Sequence, residues 1–95
     1  MAERDIKKKV RAYLKTIEQS KFVSYNPYPT GEPGTPDYIG TVGGQSVLIE
    51  VKQPGKKLEP LQKLRKAEWE FGGAFVFVIH SVEELKNLMK EYFNE

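Results

Sequence analysis

Apolar residues recur at helical spacing between positions 3 and 20: Ile6, Val10, Tyr13, Leu14 and Ile17 form one stripe, leaving Lys7, Lys8, Arg11 and Lys15 mostly off it. That period predicts an amphipathic helix over residues 3–20. The segment KFVSY (21–25) reads as a short strand, and NPYPTGEPGTP (26–36), with its four prolines, as an extended loop. DYIGTV (37–42) and QSVLIEVK (45–52) flank Gly43-Gly44, which supplies the positive φ angles of a two-residue hairpin turn. After the turn QPGKK (53–57), residues 60–71 read as a helix with Pro60 in its first turn and Gly72-Gly73 as its stop. Leu61, Leu64, Ala67 and Phe71 share one face of it, expected to pack inward. The continuous apolar run AFVFVIH (74–80) predicts a strand buried on both faces, expected as the central parallel strand. SVEE (81–84) fits a capping box opening a last helix, with Val82, Leu85, Leu88, Met89 and Phe93 inward. The expectation is a single α/β domain over residues 1–95, in the order αβββαβα, with a mixed central sheet flanked by helices.

Alternation along the second hairpin strand places Leu48, Glu50 and Lys52 on one face and Val47, Ile49 and Val51 on the other. A two-residue turn at Gly43-Gly44 sets Val42 opposite Gln45, and that register sets Asp37 opposite Glu50. Opposed residues share a face with Cβ atoms about 4.5–5.5 Å apart, and like charges there destabilise a hairpin. The pair makes sense if a cation lies between the carboxylates. A hard divalent ion such as magnesium fits, because it takes oxygen ligands and keeps several waters. The donors would be Asp37, Glu50 and a backbone carbonyl, that of Val51, while Lys52 beside them would orient a water and stabilise negative charge on a phosphate. The plainer alternative is a surface ion pair of Glu50 with Lys52, with Asp37 as a turn residue after Pro36.

Composition narrows the setting more than the chemistry. The chain has no cysteine, so disulfides and thiolate zinc sites are excluded. No apolar run approaches the roughly 18 residues of a membrane span, and the basic start MAERDIKKKV lacks a signal peptide's apolar segment. An intracellular, cytoplasmic protein is expected. The net charge of +2 is unevenly spread: residues 1–21 carry seven basic and three acidic side chains, and residues 52–68 six and two, so each segment is +4. Two basic segments suit a polyanion, although solvated helix faces explain them as well.

Pro36-Asp37 followed by Glu50-Val51-Lys52 resembles the PD-(D/E)xK nuclease signature. The wider string, GTPDYIG and then VLIEVKQPGKKLEPLQKLRKAEWEFGGAFVFVIHSVEEL, is similar to the virus-type replication-repair nuclease (VRR-NUC) domain of that superfamily. It carries the glycine before Pro-Asp, the ExK strand, a Pro-Gly turn, a Leu-x-x-x-Gln helix start and a Gly-Gly stop, across nearly the whole chain. The resemblance implies a restriction-endonuclease-like core and a magnesium- or manganese-dependent DNA endonuclease. In it Asp37 and Glu50 bind the metal, Lys52 assists the nucleophile, Gln62 is the glutamine of the following helix, and a glutamate on the first helix joins the metal site. At about 100° per residue, Glu3 falls within the stripe of Ile6, Val10 and Ile17, whereas Asp5 and Glu18 point away, so Glu3 is chosen. A plain first-turn acid acting on the helix dipole explains Glu3 equally well.

The resemblance further implies a Holliday-junction-resolvase-like homodimer acting on branched DNA, of viral or bacterial origin. Candidate DNA contacts are Lys7, Lys8 and Arg11 on the basic first helix, the proline-rich loop 26–36, and Lys56, Lys57 and Lys63 near the metal edge. His80, the one histidine, is expected to be structural, and Trp69 to pack, although with Tyr28 it could stack on a base. Three rivals stand beside this reading: a non-catalytic nucleic-acid-binding module of the same fold, a small interaction protein with a surface ion pair, and a sequence-specific restriction-type nuclease.

Overall fold

The computed structural model describes residues 2–25 and 31–94. Its elements run α1 (Glu3–Leu14), β1 (Ser20–Ser24), β2 (Tyr38–Val42), β3 (Gln45–Val51), α2 (Pro60–Phe71), β4 (Phe75–Ile79) and α3 (Val82–Phe93). This is the expected αβββαβα order. Strands β1, β2 and β3 pair antiparallel in succession, and β4 lies parallel to β3, so the four described strands form a mixed sheet in the order β1-β2-β3-β4.

The alternation of β3 divides the core as its sequence predicts. Val47, Ile49 and Val51 pack with Ile6, Val10 and Leu14 of α1 and with Val82, Leu85 and Met89 of α3 on one face. Leu48 packs on the other face with Ala74, Val76 and the partly buried Ile39 and Trp69, beneath α2. Ile6, Val10, Leu85 and Met89 are almost wholly removed from water. Each such side chain contributes ~1.5–3 kcal/mol of hydrophobic stabilisation, which ties both helices to the sheet. Among the described residues, no helix is long and apolar enough to cross a membrane.

Three expectations are corrected. The first helix stops at Leu14 rather than reaching residue 20. Thr16 Oγ1 donates to the Tyr13 carbonyl at 2.7 Å and Ser20 Oγ to that of Ile17 at 2.6 Å, while Gln19 adopts a left-handed φ of 55°. These hydroxyls offer the backbone an alternative to helix continuation, and the reversal frees Ser20 to pair with Val42. Ile17 stays buried although it lies beyond the helix. Second, β4 is parallel to β3 as expected, but it stands at the edge of the described sheet rather than at its centre. Helices on both faces make its side chains apolar, and that cover does not determine how many strands flank it.

Third, the stripe Leu61, Leu64, Ala67, Phe71 does not face the core. Leu61 is 41% exposed, Leu64 51% and Phe71 96%. Helix α2 instead turns Gln62, Arg65, Lys66 and Trp69 toward the protein, all of them partly buried. Trp69 covers Leu48, Ala74 and Val76, and the packing role expected of it is what the structure shows.

Candidate active site

The β2–β3 hairpin is the frame of the site. Gly43 and Gly44 adopt φ values of 55° and 87°, the doubly positive pair of a two-residue turn that matches strand twist. The pairing runs from Val42 opposite Gln45 to Tyr38 opposite Ile49. Asp37 stands one step beyond this ladder, at the position whose partner in register is Glu50. Its main chain continues the sheet on the other side, where the Tyr25 N–H donates to the Asp37 carbonyl at 2.7 Å. Its side chain turns across to β3 and accepts from the Val51 N–H through Oδ2 at 2.8 Å. A strand residue points its N–H and C=O to the same side, so the Val51 carbonyl also lies toward Asp37.

Asp37 reaches this place through a loop pressed against α2. Gly34, at φ 82°, sits where an added Cβ would lie 2.8 Å from Leu61 Cγ, so glycine is required by both the close approach and the conformation. Arg65 holds the same loop by donating from Nε to the Pro33 carbonyl at 3.1 Å, and it pairs with Glu32 at 2.9 Å. Arg65 is a positioning residue that the sequence reading missed. Its signal, a basic residue three positions after Gln62, resembles any helix-surface arginine.

Glu50 is 4% exposed and is the one charged side chain buried among the described residues. Gln62 donates from Nε2 to Glu50 Oε2 at 3.2 Å. The same Gln62 accepts from the Glu59 N–H through Oε1 at 2.9 Å, closing a capping box that starts α2 behind Pro60. One side chain thus fixes both the helix start and the carboxylate. Burial, and next the negative charge of Asp37, push the Glu50 carboxyl up to about 7, against smaller opposing effects of Lys52 and Lys7. Two carboxylates in this proximity, one of them out of water, form a site whose charged state needs a cation.

Lys52 is partly buried just past the end of β3, with its N–H donated to the Ile79 carbonyl at 2.9 Å. Its charge acts on Glu50 from the position the ExK spacing implies. Glu3 also enters this field, and it pairs with Lys7 at 3.5 Å. Lys7 Nζ lies 3.2 Å from Asp37 Oδ1. Burial alone would lower the pKa of Lys7, but Asp37 and then Glu3 outweigh it, and the net shift is upward. Lys7, expected as a DNA contact, reaches Asp37 and Glu3 in the structure while still lining the surface of α1. Lys8 and Arg11 remain exposed, and with Glu3, Arg4 and Lys7 they line a concave surface of about 490 Å³ along α1. Lys56, Lys57 and Lys63 are exposed on the 53–57 turn and on α2.

His80 has the structural role expected of it. Its N–H donates to Glu84 Oε2 at 3.2 Å, and its ring lies 3.0 Å from the Lys56 carbonyl through Nε2, fastening the 53–57 turn to the start of α3. Tyr28 and loop residues 26–30 lie outside the described residues.

A divalent ion is tested against this donor set. No group of three or more His, Cys, Asp or Glu side chains that could hold a metal occurs among the described residues. Asp37, Glu50 and the Val51 carbonyl are hard oxygen donors at the open end of the β2–β3 hairpin, which fits an ion that keeps several of its waters. Glu3 pairs with Lys7 at 3.5 Å, and its charge acts on Glu50.

No family model matches the chain, and no curated protein matches it. Two solved structures are similar over nearly their whole length. One, described as a VRR_NUC domain, has a TM-score of 0.78 at 24% identity, covering 96% of this chain and 97% of that one. The other, a VRR_NUC domain protein, has a TM-score of 0.80 at 15% identity, covering 99% and 89%. The order of elements, the mixed sheet and this correspondence agree, and the chain has the fold of a VRR-NUC domain.

Proposed function

We propose that this protein is a divalent-metal-dependent endonuclease that hydrolyses DNA phosphodiester bonds, selects branched DNA such as four-way junctions, and acts as a homodimer. The observation that carries the reading is the buried Glu50 set in register beside Asp37, with its carboxyl pushed up to about 7. A binding module has no use for so costly a pair of acids.

Asp37, Glu50 and the Val51 carbonyl would hold magnesium or manganese, which when bound polarises a phosphoryl oxygen and activates water. Gln62 keeps Glu50 aimed into the site through its amide. The Lys52 ammonium orients the attacking water and stabilises the negative charge that develops on phosphate. Lys8 and Arg11, with Lys56, Lys57 and Lys63, take the DNA backbone on either side of the carboxylates, so binding is salt-dependent and largely indifferent to sequence.

A second reading, a nucleic-acid-binding module without catalysis, is favoured by one observation. Lys7 already neutralises Asp37 at 3.2 Å, which places a built-in cation at one of the two acids. The deciding experiment is cleavage of a labelled four-way junction, with linear duplex, flap and single-stranded controls, in magnesium, manganese and EDTA. Metal-dependent, symmetric incisions that vanish in Glu50→Ala and Lys52→Ala support the proposal. Binding of every substrate without cutting in either metal overturns it in favour of the second reading.

A further inference from the structure

A groove of about 330 Å³ lies between the C-terminal end of α1 and the strand β1. Phe22 stands opposite Gly40, which is itself opposite Val47, and Ser24 stands opposite Tyr38. Alternation therefore turns Ser20, Phe22 and Ser24 to the face of the sheet that α1 covers, where Leu14 and Ile17 form the back of the groove. An added Cβ at Gly40 would lie 2.5 Å from Phe22 Cδ1, so the Phe22 ring rests on bare backbone. The ring is partly buried there and lines the groove.

The rim is basic. Arg11 and Lys15, one turn apart on α1, and Lys21 of β1 are exposed around it. Among the described residues no acid lines the groove and none pairs with these three, whereas Lys7, Arg65 and Lys66 each sit against a carboxylate. Like charges one turn apart repel, so the rim favours an anion. The groove also adjoins the candidate active site. Tyr38, in its wall, follows Asp37 and donates to the Lys7 carbonyl at 3.3 Å, while Tyr25, next after Ser24, donates its N–H to the Asp37 carbonyl. Arg11 belongs both to this groove and to the concave surface along α1 that Glu3 and Lys7 line.

We infer that the α1–β1 groove takes an unpaired strand of DNA leading away from the carboxylates, with its phosphates on Arg11, Lys15 and Lys21 and one base against the Phe22 ring. A volume at the lower end of the range for small-ligand sites, about 300–1,000 Å³, has room for one base and its sugar and none for a duplex. Cations beside an aromatic floor are the means by which single strands are held, one tracking the backbone and the other stacking a base. From Lys7 to Lys15 the helix rises about 12 Å, the reach of roughly three or four nucleotides at about 3.4 Å each. Unpaired nucleotides adjoin duplex at a branch point, so the groove supplies a physical basis for selecting branched DNA. Its purpose rests on the nuclease reading above, yet strand binding in EDTA is independent of cutting, so the two can fail separately.

The test is an NMR titration of the full chain in EDTA with a thymidine tetranucleotide, beside thymidine monophosphate, inorganic phosphate and a hairpin duplex. The tetranucleotide should bind most tightly, shift the Phe22 ring protons upfield as stacking does, and move the Ser20 and Ser24 amides. Lys15→Gln combined with Lys21→Gln should flatten the log–log salt dependence of binding by about 1.4, two phosphate contacts at about 0.7 each. Phe22→Leu keeps an apolar floor but removes the ring, and should weaken binding about tenfold with the salt slope unchanged. The two lysines are exposed, so their variant tests the groove even if Phe22→Leu fails to fold. Phosphate or the monophosphate binding as tightly as the tetranucleotide overturns the inference, because a strand then adds nothing. So does a duplex that produces the same shifts, or a tetranucleotide whose affinity and salt slope ignore the lysine substitutions.

Discussion

Lys7 and Asp37 are joined as an ion pair, Nζ to Oδ1 at 3.2 Å, linking the first helix to the residue that opens β2. The ammonium therefore stands where a metal ion would also be drawn, and the two cations compete for one carboxylate. Lys7→Met is expected to tighten manganese binding about fivefold, equivalent to ~1 kcal/mol for a partly exposed pair, while lowering metal-free stability by a similar amount. Titration calorimetry of both proteins checks this. Weaker binding in the variant would show instead that Lys7 holds Asp37 in place for the metal.

Glu50 makes metal-free stability depend on pH with a definite sign. Its carboxyl is raised to about 7 in the folded protein, chiefly by burial and then by Asp37, from an ordinary value of 4.5. The folded state thus binds more protons than the unfolded state between those values, and stability falls as pH rises from about 4.5 through about 7. The loss expected across that window is ~1–2 kcal/mol, less than the full shift implies, because Asp37 and Lys52 beside it are partly in water. Thermal melts in EDTA at pH 5 and pH 8 should show it, and Glu50→Gln should flatten the difference. Metal binding should tighten over the same range and release a proton at the lower pH.

Gln62 closes the α2 capping box and donates to Glu50. Gln62→Ala removes both bonds and leaves a buried carboxylate oxygen without its donor, so a loss of ~1–2 kcal/mol is expected. Denaturant unfolding measures it. If the side chain also positions Glu50 for metal, manganese affinity falls in the same variant. An unchanged affinity would reduce Gln62 to a helix cap.

The turn can be tested apart from the carboxylates. Gly43 has a φ of 55° and no atom within 4 Å of where a Cβ would stand, so conformation alone restricts the position. Gly43→Asn is expected to be tolerated, whereas Gly43→Val should cost ~1–2 kcal/mol and weaken metal binding by loosening the Asp37–Glu50 register. Metal titration of the pair of variants decides. Full affinity in the valine variant would remove the link between turn and site.

Much of this arrangement was legible before any coordinates, for local reasons. The bounds of α2 follow from Pro60 and Gly72-Gly73, and Ser81 caps α3 by accepting from the Glu84 N–H at 3.1 Å. The two-glycine turn specified a register, and the register placed Asp37 beside Glu50. The end of α1 was less legible, because the apolar period continues to Ile17 after the hydroxyls of Thr16 and Ser20 have turned the backbone. Periodicity reports which residues are buried, and Ile17 is buried without being helical.

The sequence by itself determined the order of elements, the division of β3 into two faces, and the pairing of two acids at the end of a hairpin. Each of these depends on backbone geometry within a few residues or across one tight turn. Only the tertiary structure decided that α2 would lie on Gln62 and Trp69 with Leu64 and Phe71 in water, that β4 would be an edge of the described sheet, and that Lys7 would reach Asp37. Those outcomes depend on contacts between residues far apart in the chain, such as Gln62 with Glu50 and Lys7 with Asp37. A local pattern cannot rank such contacts against the apolar burial it predicts.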